Sequence, residues 1–65
     1  MILYAIRDKI SQKYWRKREN SIELLTLDHC SVFKERKMAE DIAYVYGTGE
    51  TELIEINLDM KVIPW

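Results

Sequence analysis

The sequence is poor in the residues that staple or punctuate a small fold. It has one cysteine, one histidine, one proline and two glycines in 65 residues. A lone Cys30 excludes an internal disulfide, and one His with one Cys falls short of the three or four ligands of a zinc site. No metal and no cofactor is expected. Pro64 is one residue from the end, and no Gly-rich or Pro-rich stretch interrupts the chain, so residues 1–65 are read as a single small domain. Long apolar runs are missing too. The first, Ile2 to Ile6, stops at Arg7 and Asp8, too short for a signal-peptide core or a membrane span. The expected location is the cytoplasm, with no membrane partner.

What is present is a chain 48% hydrophobic and 32% charged, too apolar for disorder. Folding at this length removes only about 60% of the unfolded surface from water, leaving a thin core and a stability of about a few kcal/mol. A ligand pocket of roughly 300 Å³ would consume most of such a core. The size therefore argues against an enzyme, and small domains without staples often complete their cores by self-association.

Period-two alternation of Ile2, Tyr4 and Ile6 predicts a first strand over about 2–7. The aromatic run Lys13-Tyr14-Trp15-Arg16-Lys17 predicts its hairpin partner over about 12–18. The turn at Ser11-Gln12 lacks the Gly or Asn usual at positive backbone angles. Residues 21–33 read as an extended stretch, one helical turn over Leu27 to Cys30 and a short strand at 31–33. A helix is expected over about 35–46, with Met38, Ala39, Ile42, Val45 and Tyr46 on one buried stripe. Gly47 stands where a left-handed C-cap is wanted. A last strand over about 51–60 places Ile54, Ile56, Leu58 and Met60 on one face and Leu53 on the other. The fold class is α+β: a two-layer arrangement, with an antiparallel sheet of three or four strands under one helix.

At this level the chain resembles a loose group of small phage and prophage proteins, most without an assigned activity. The resemblance rests on Tyr4-Ala5-Ile6-Arg7-Asp8-Lys9, on Lys13-Tyr14 after a short polar turn, and on Val32-Phe33-Lys34 leading into a helix with Ala39-Glu40 that closes at Tyr46-Gly47. It covers roughly residues 3–47. Ser11-Gln12 replaces the group's frequent Thr-Gly turn, and Glu35 its usual Thr or Ser N-cap. The matching positions look structural, so the resemblance implies a phage-type origin in a bacterial host cell and transfers no functional residue.

Asp28-His29-Cys30 contains the residue types of a thiol nucleophile, yet neighbours on a strand point apart and neighbours on a helix sit 100° apart. No catalytic residue is expected there. Neither Glu40-Asp41 nor Glu50/Glu52 has the apolar enclosure that separates two carboxylate pKa values. Gly47-Thr48-Gly49 precedes a strand and lacks a following Lys, unlike a phosphate loop.

The charge layout says more. Residues 1–20 hold six basic and two acidic groups, net +4; residues 21–65 hold four basic and nine acidic groups, net -5. The candidate binding residues are Lys13, Tyr14, Trp15, Arg16, Lys17 and Arg18, where aromatics interleave with cations. Of Tyr14 and Trp15 only one can face the core; the other stands exposed among cations as a contact for an acidic partner. Leu3, Tyr44, Leu53 and Trp65 are the candidate interface, Leu3 and Leu53 on the open sheet face, Tyr44 on the helix opposite its buried stripe and Trp65 at the chain end, with a homodimer through the open face or a free sheet edge expected and Val62 to Trp65 contributing. The predicted function is a small non-catalytic phage-type protein that binds another protein, as an inhibitor or modulator of a host defence or other host process. The alternative is a nucleic-acid-binding accessory protein using the basic hairpin, a reading weakened by the overall net charge of -1.

Overall fold

The computed structural model describes residues 1–47, 50–59 and 62–64. Four strands, β1 (Ile2–Asp8), β2 (Tyr14–Lys17), β3 (Ile22–Leu25) and β4 (Thr51–Asn57), form one antiparallel sheet in the order β3-β2-β1-β4. Helix α1 (Arg36–Tyr46) covers one face, and a 3-10 turn spans Leu27–His29. The α+β two-layer architecture is the one expected. Among the described residues no helix is long and apolar enough to cross a membrane.

The β1–β2 hairpin forms without glycine because Asp8 organises its loop. The Asp8 carboxylate accepts the Ser11 N–H at 2.7 Å, the Asp8 carbonyl accepts the Gln12 N–H at 2.9 Å, and Ser11 Oγ accepts the Lys13 N–H at 3.3 Å. The Ser11 backbone N–H first, and then the Ser11 hydroxyl, hold the Asp8 carboxyl below its ordinary range. Gln12 takes the left-handed conformation, φ 59°, which penalises any residue with a Cβ. Gln12→Gly is therefore expected to stabilise the domain by about 1 kcal/mol, read as a raised urea midpoint at unchanged slope.

After Tyr14 the second strand parts from β1. The segment 31–33 fills the wedge: Tyr4 and Phe33 exchange two backbone bonds of 2.8 Å, and Ser31 N–H donates to the Trp15 carbonyl at 3.0 Å. The strand expected at 31–33 is thus a single bridge. The third strand is the extended stretch before it, Ile22–Leu25, which pairs with β2 residue for residue from Tyr14↔Leu25 to Lys17↔Ile22. The last strand ends at Asn57; Leu58 and Asp59 lie beyond it, and Met60 is outside the described residues.

Among the described residues only Ala5, Ile6, Trp15 and Ala39 are buried, and Ile6, Trp15 and Ala39 touch as the centre of the core. Tyr4, Ile22, Phe33, Ile42, Ala43 and Leu53 pack around them. The helix meets the sheet through Ala39, Ile42 and Ala43, which corrects the expected stripe. Met38 is 52% exposed and Val45 70%. The small side chains of Ala39 and Ala43 let the helix backbone approach the sheet, and packing on that side turns the helix by roughly 50°, half of one residue's 100° step. Gly47 is also corrected: at φ -81° and ψ 156° it is extended, and its N–H closes the helix on the Ala43 carbonyl at 2.7 Å.

Candidate functional site

Strand alternation divides the basic hairpin between two faces. Trp15 is 6% exposed and belongs to the helix-side core. Tyr14, its neighbour, faces the open side of the sheet, which answers which of the two aromatics points away from the core. Lys17 follows Trp15 to the helix side, where its ammonium lies 5.3 Å from the centre of the Tyr46 ring. Lys13 is exposed in the loop before β2.

On the open face one row crosses all four strands: Leu25 of β3, Tyr14 of β2, Arg7 of β1 and Glu52 of β4 are mutual register partners. The Arg7 guanidinium lies 5.8 Å from the Tyr14 ring centre and donates from Nε to Glu52 Oε1 at 2.6 Å. Its bond to Glu52 is the main reason the Arg7 pKa is raised further above its ordinary value. Beside this row stand Arg16 opposite Glu23, Ala5 opposite Ile54 and Leu3 opposite Ile56. Arg18 grips Glu23 with two contacts, Nη2 to Oε2 at 3.1 Å and Nε to Oε1 at 3.0 Å. Arg16 reaches the His29 carbonyl from Nη1 at 3.4 Å and, among the described residues, has no acidic partner. The surface is a low apolar floor of Leu3, Ala5, Ile54, Ile56 and Leu25, crossed by an internally neutralised Arg7–Glu52 pair. Tyr14 and Arg16 stand on it at the basic end.

The expected interface residues do not assemble. Leu3 is on the open face. Leu53 is not: its register partner is Ile6, so it points to the helix side and packs on the core. The face of β4 is thereby the reverse of the expected one, with Ile54 and Ile56 open and Leu53 inward. Tyr44, 89% exposed, sits on the helix layer, and Trp65 lies outside the described residues. Leu25, Ile54, Ile56 and the Arg7–Glu52 pair are open-face members that the sequence reading did not single out. Ile54 and Ile56 were visible as a period-two pair, but alternation alone does not say which set faces the helix.

A second feature lies on the helix side. An open groove of 540 Å³ runs between α1 and β4, lined by Glu40, Ala43, Tyr44, Gly47, Thr51, Glu52 and Leu53. Its two glutamates are engaged by Arg36 at 2.8 Å and by Arg7. Among the described residues no nucleophile with an adjacent base lines it. At the 3-10 turn, Thr26 Oγ1 donates to Asp28 Oδ1 at 2.6 Å and holds the Asp28 carboxyl below its ordinary range. His29 Nε2 is 3.5 Å from Asp28 Oδ2, and both are exposed. Burial pushes the Cys30 thiol up, away from the thiolate that nucleophilic chemistry needs. Among the described residues no group of three or more His, Cys, Asp and Glu could hold a metal ion.

The chain matches no family model, no curated protein and no solved structure in the comparisons made with each. What it contributes is therefore its own geometry: a four-stranded sheet with one covered and one open face.

Proposed function

We propose that the chain is a non-catalytic module that binds another protein through the open face of its sheet, with Tyr14 and Arg16 as the central contacts and Leu3, Ile54 and Ile56 as the apolar floor. The observation that carries this reading is the row Leu25, Tyr14, Arg7, Glu52. It sets a tyrosine between an arginine and an apolar neighbour on a face that no layer covers among the described residues. Tyr and Arg give large contact area and directed bonds at modest entropy cost, which is why they dominate interface energetics. The Arg7–Glu52 and Arg18–Glu23 pairs are already made, so a partner covering this face meets few charges it must itself neutralise. Arg16, without an acidic partner of its own, favours a carboxylate on the other side.

The proposed action, supported by the resemblance to small phage proteins, is that of an inhibitor or modulator of a host process in the cytoplasm of a bacterial host. Nucleic acid is the weaker ligand, because the interleaved pattern loses its members: Trp15 is in the core, Lys17 is on the helix side and Arg18 is bound to Glu23. Capture from a bacterial lysate, with the variant Tyr14→Ala/Arg16→Glu beside the wild type, tests the proposal. One stoichiometric protein retained by the wild type and lost by the folded variant is the expected result. Retention of nucleic acid with steep salt dependence, or a protein bound equally by both forms, overturns it.

A further inference from the structure

The sheet has two edges, and they differ. β3 offers four residues, a short edge that gives another chain little to pair with. β4 offers seven, Thr51–Asn57, paired to β1 without a bulge from Asp8↔Thr51 to Ile2↔Asn57, and free of proline and lysine. Among the described residues no strand pairs with its outer side. The parity of its ladder follows from the bonds at its two ends, where the Glu50 carbonyl accepts Lys9 N–H and Leu58 N–H donates to the Met1 carbonyl, both at 2.8 Å. Even-numbered residues therefore bond β1, and Thr51, Leu53, Glu55 and Asn57 turn their N–H and C=O groups to the free edge.

We propose that β4 pairs with β4 of a second copy of this chain, antiparallel about a two-fold axis through Ile54, joining two sheets into one of eight strands. The charge pattern selects both occupant and register. A two-fold ladder must pair odd residues with odd, which leaves dyads at Leu53, Ile54 or Glu55 as the candidates at the strand centre. The dyad at Glu55 sets like charges directly opposite each other, which is destabilising. The dyad at Ile54 pairs all seven residues, with Leu53 opposite Glu55, Glu52 opposite Ile56 and Thr51 opposite Asn57. The dyad at Leu53 leaves two residues of each strand unpaired. Of the carboxylates at this edge and its groove, Glu52 and Glu40 are already engaged by Arg7 and Arg36, and the exposed Glu55 stands opposite Leu53 of the second copy rather than opposite its own copy.

The axis is perpendicular to the sheet, so both helices lie on one side and both open faces on the other. On the helix side each groove between α1 and β4 then opens toward the joint. Glu55 and Asn57 of the second copy rise beside Leu53 and Thr51, two residues of its lining. On the other side the apolar floor continues across the dyad from Ile54 to Ile54. The inference does not depend on what the open face binds.

Three variants test it. At the dyad Ile54 meets its own copy in a non-hydrogen-bonded pair with Cα atoms about 4.5 Å apart, within disulfide range. Ile54→Cys is expected to give a cross-linked dimer as the main product of mild oxidation. Ile56→Cys, displaced by four residues and about 13 Å along the strand from its copy, is expected to stay uncross-linked. Wild type, carrying only Cys30, sets the background. Glu55→Pro removes an outward N–H without touching the β1 ladder and is expected to halve the mass seen by light scattering at unchanged circular dichroism. A wild-type monomer at high micromolar concentration overturns the proposal. So does a dimer in which Ile54→Cys fails to cross-link, whether or not Glu55→Pro folds.

Discussion

Trp15→Ala is expected to leave the protein largely unfolded at room temperature. Among the described residues Trp15 and Ile6 are the only large side chains that are buried, and they touch each other and Ala39 at the point where the helix meets the sheet. Truncating a buried tryptophan costs about 3–5 kcal/mol, from lost transfer energy and the cavity left behind. A domain of this length holds a total of about that size. Circular dichroism against temperature reads the effect directly. Met38→Ala and Val45→Ala, in the helix but 52% and 70% exposed, are expected to change stability by no more than about 0.5 kcal/mol. If Trp15→Ala melts within a few degrees of wild type while either helix variant unfolds, the core lies on the other side of the helix.

The opposite change at the same contact is the second large effect. Ala39 is fully buried against Ile6 and Trp15, and its small side chain sets how closely the helix approaches the sheet. Leu has nearly the helix propensity of Ala, so Ala39→Leu isolates packing from propensity. Forcing three more carbons into a closed contact costs about 1–3 kcal/mol. The melting temperature is expected to fall by roughly 4–8 °C for each kcal/mol. Tyr44→Leu, on the exposed side of the same helix, is expected to leave it in place. An Ala39→Leu variant as stable as wild type would mean that the helix rides higher on the sheet than its burial indicates.

These results bear on how the molecule presents its surfaces. The covered face spends nearly all of the deeply buried side chains, and the open face is left with half-buried aliphatics around Tyr14 and Arg16. The two proposed contacts, a partner on the open face and a second copy on the β4 edge, would each remove apolar surface from water. They are compatible with each other, because the proposed edge dyad leaves the open face uncovered.

Much of the architecture was legible in the amino-acid sequence because it depends on local periodicity and on residue type. Alternation of Ile2, Tyr4 and Ile6 specified β1 and its inward set, and the helical spacing of Met38, Ala39, Ile42, Val45 and Tyr46 specified α1 to within a residue at its start, though not which of these residues are buried. The steric rule that strand neighbours face apart required that one of Tyr14 and Trp15 be exposed. Local pattern does not choose between two apolar sets, however. β4 carries Leu53 on one side and Ile54 with Ile56 on the other, and only the Ile6↔Leu53 register turned Leu53 inward. The helix stripe was wide enough to be rotated by half a residue, and closest packing at Ala39 and Ala43 made that choice. The Arg7–Glu52 pair, 45 positions apart in the chain, exists because β1 and β4 are neighbours, a fact no window of sequence contains. Periodicity determines which residues share a face; register and packing volume, set by the whole chain at once, decide which face is covered and which is left for a partner.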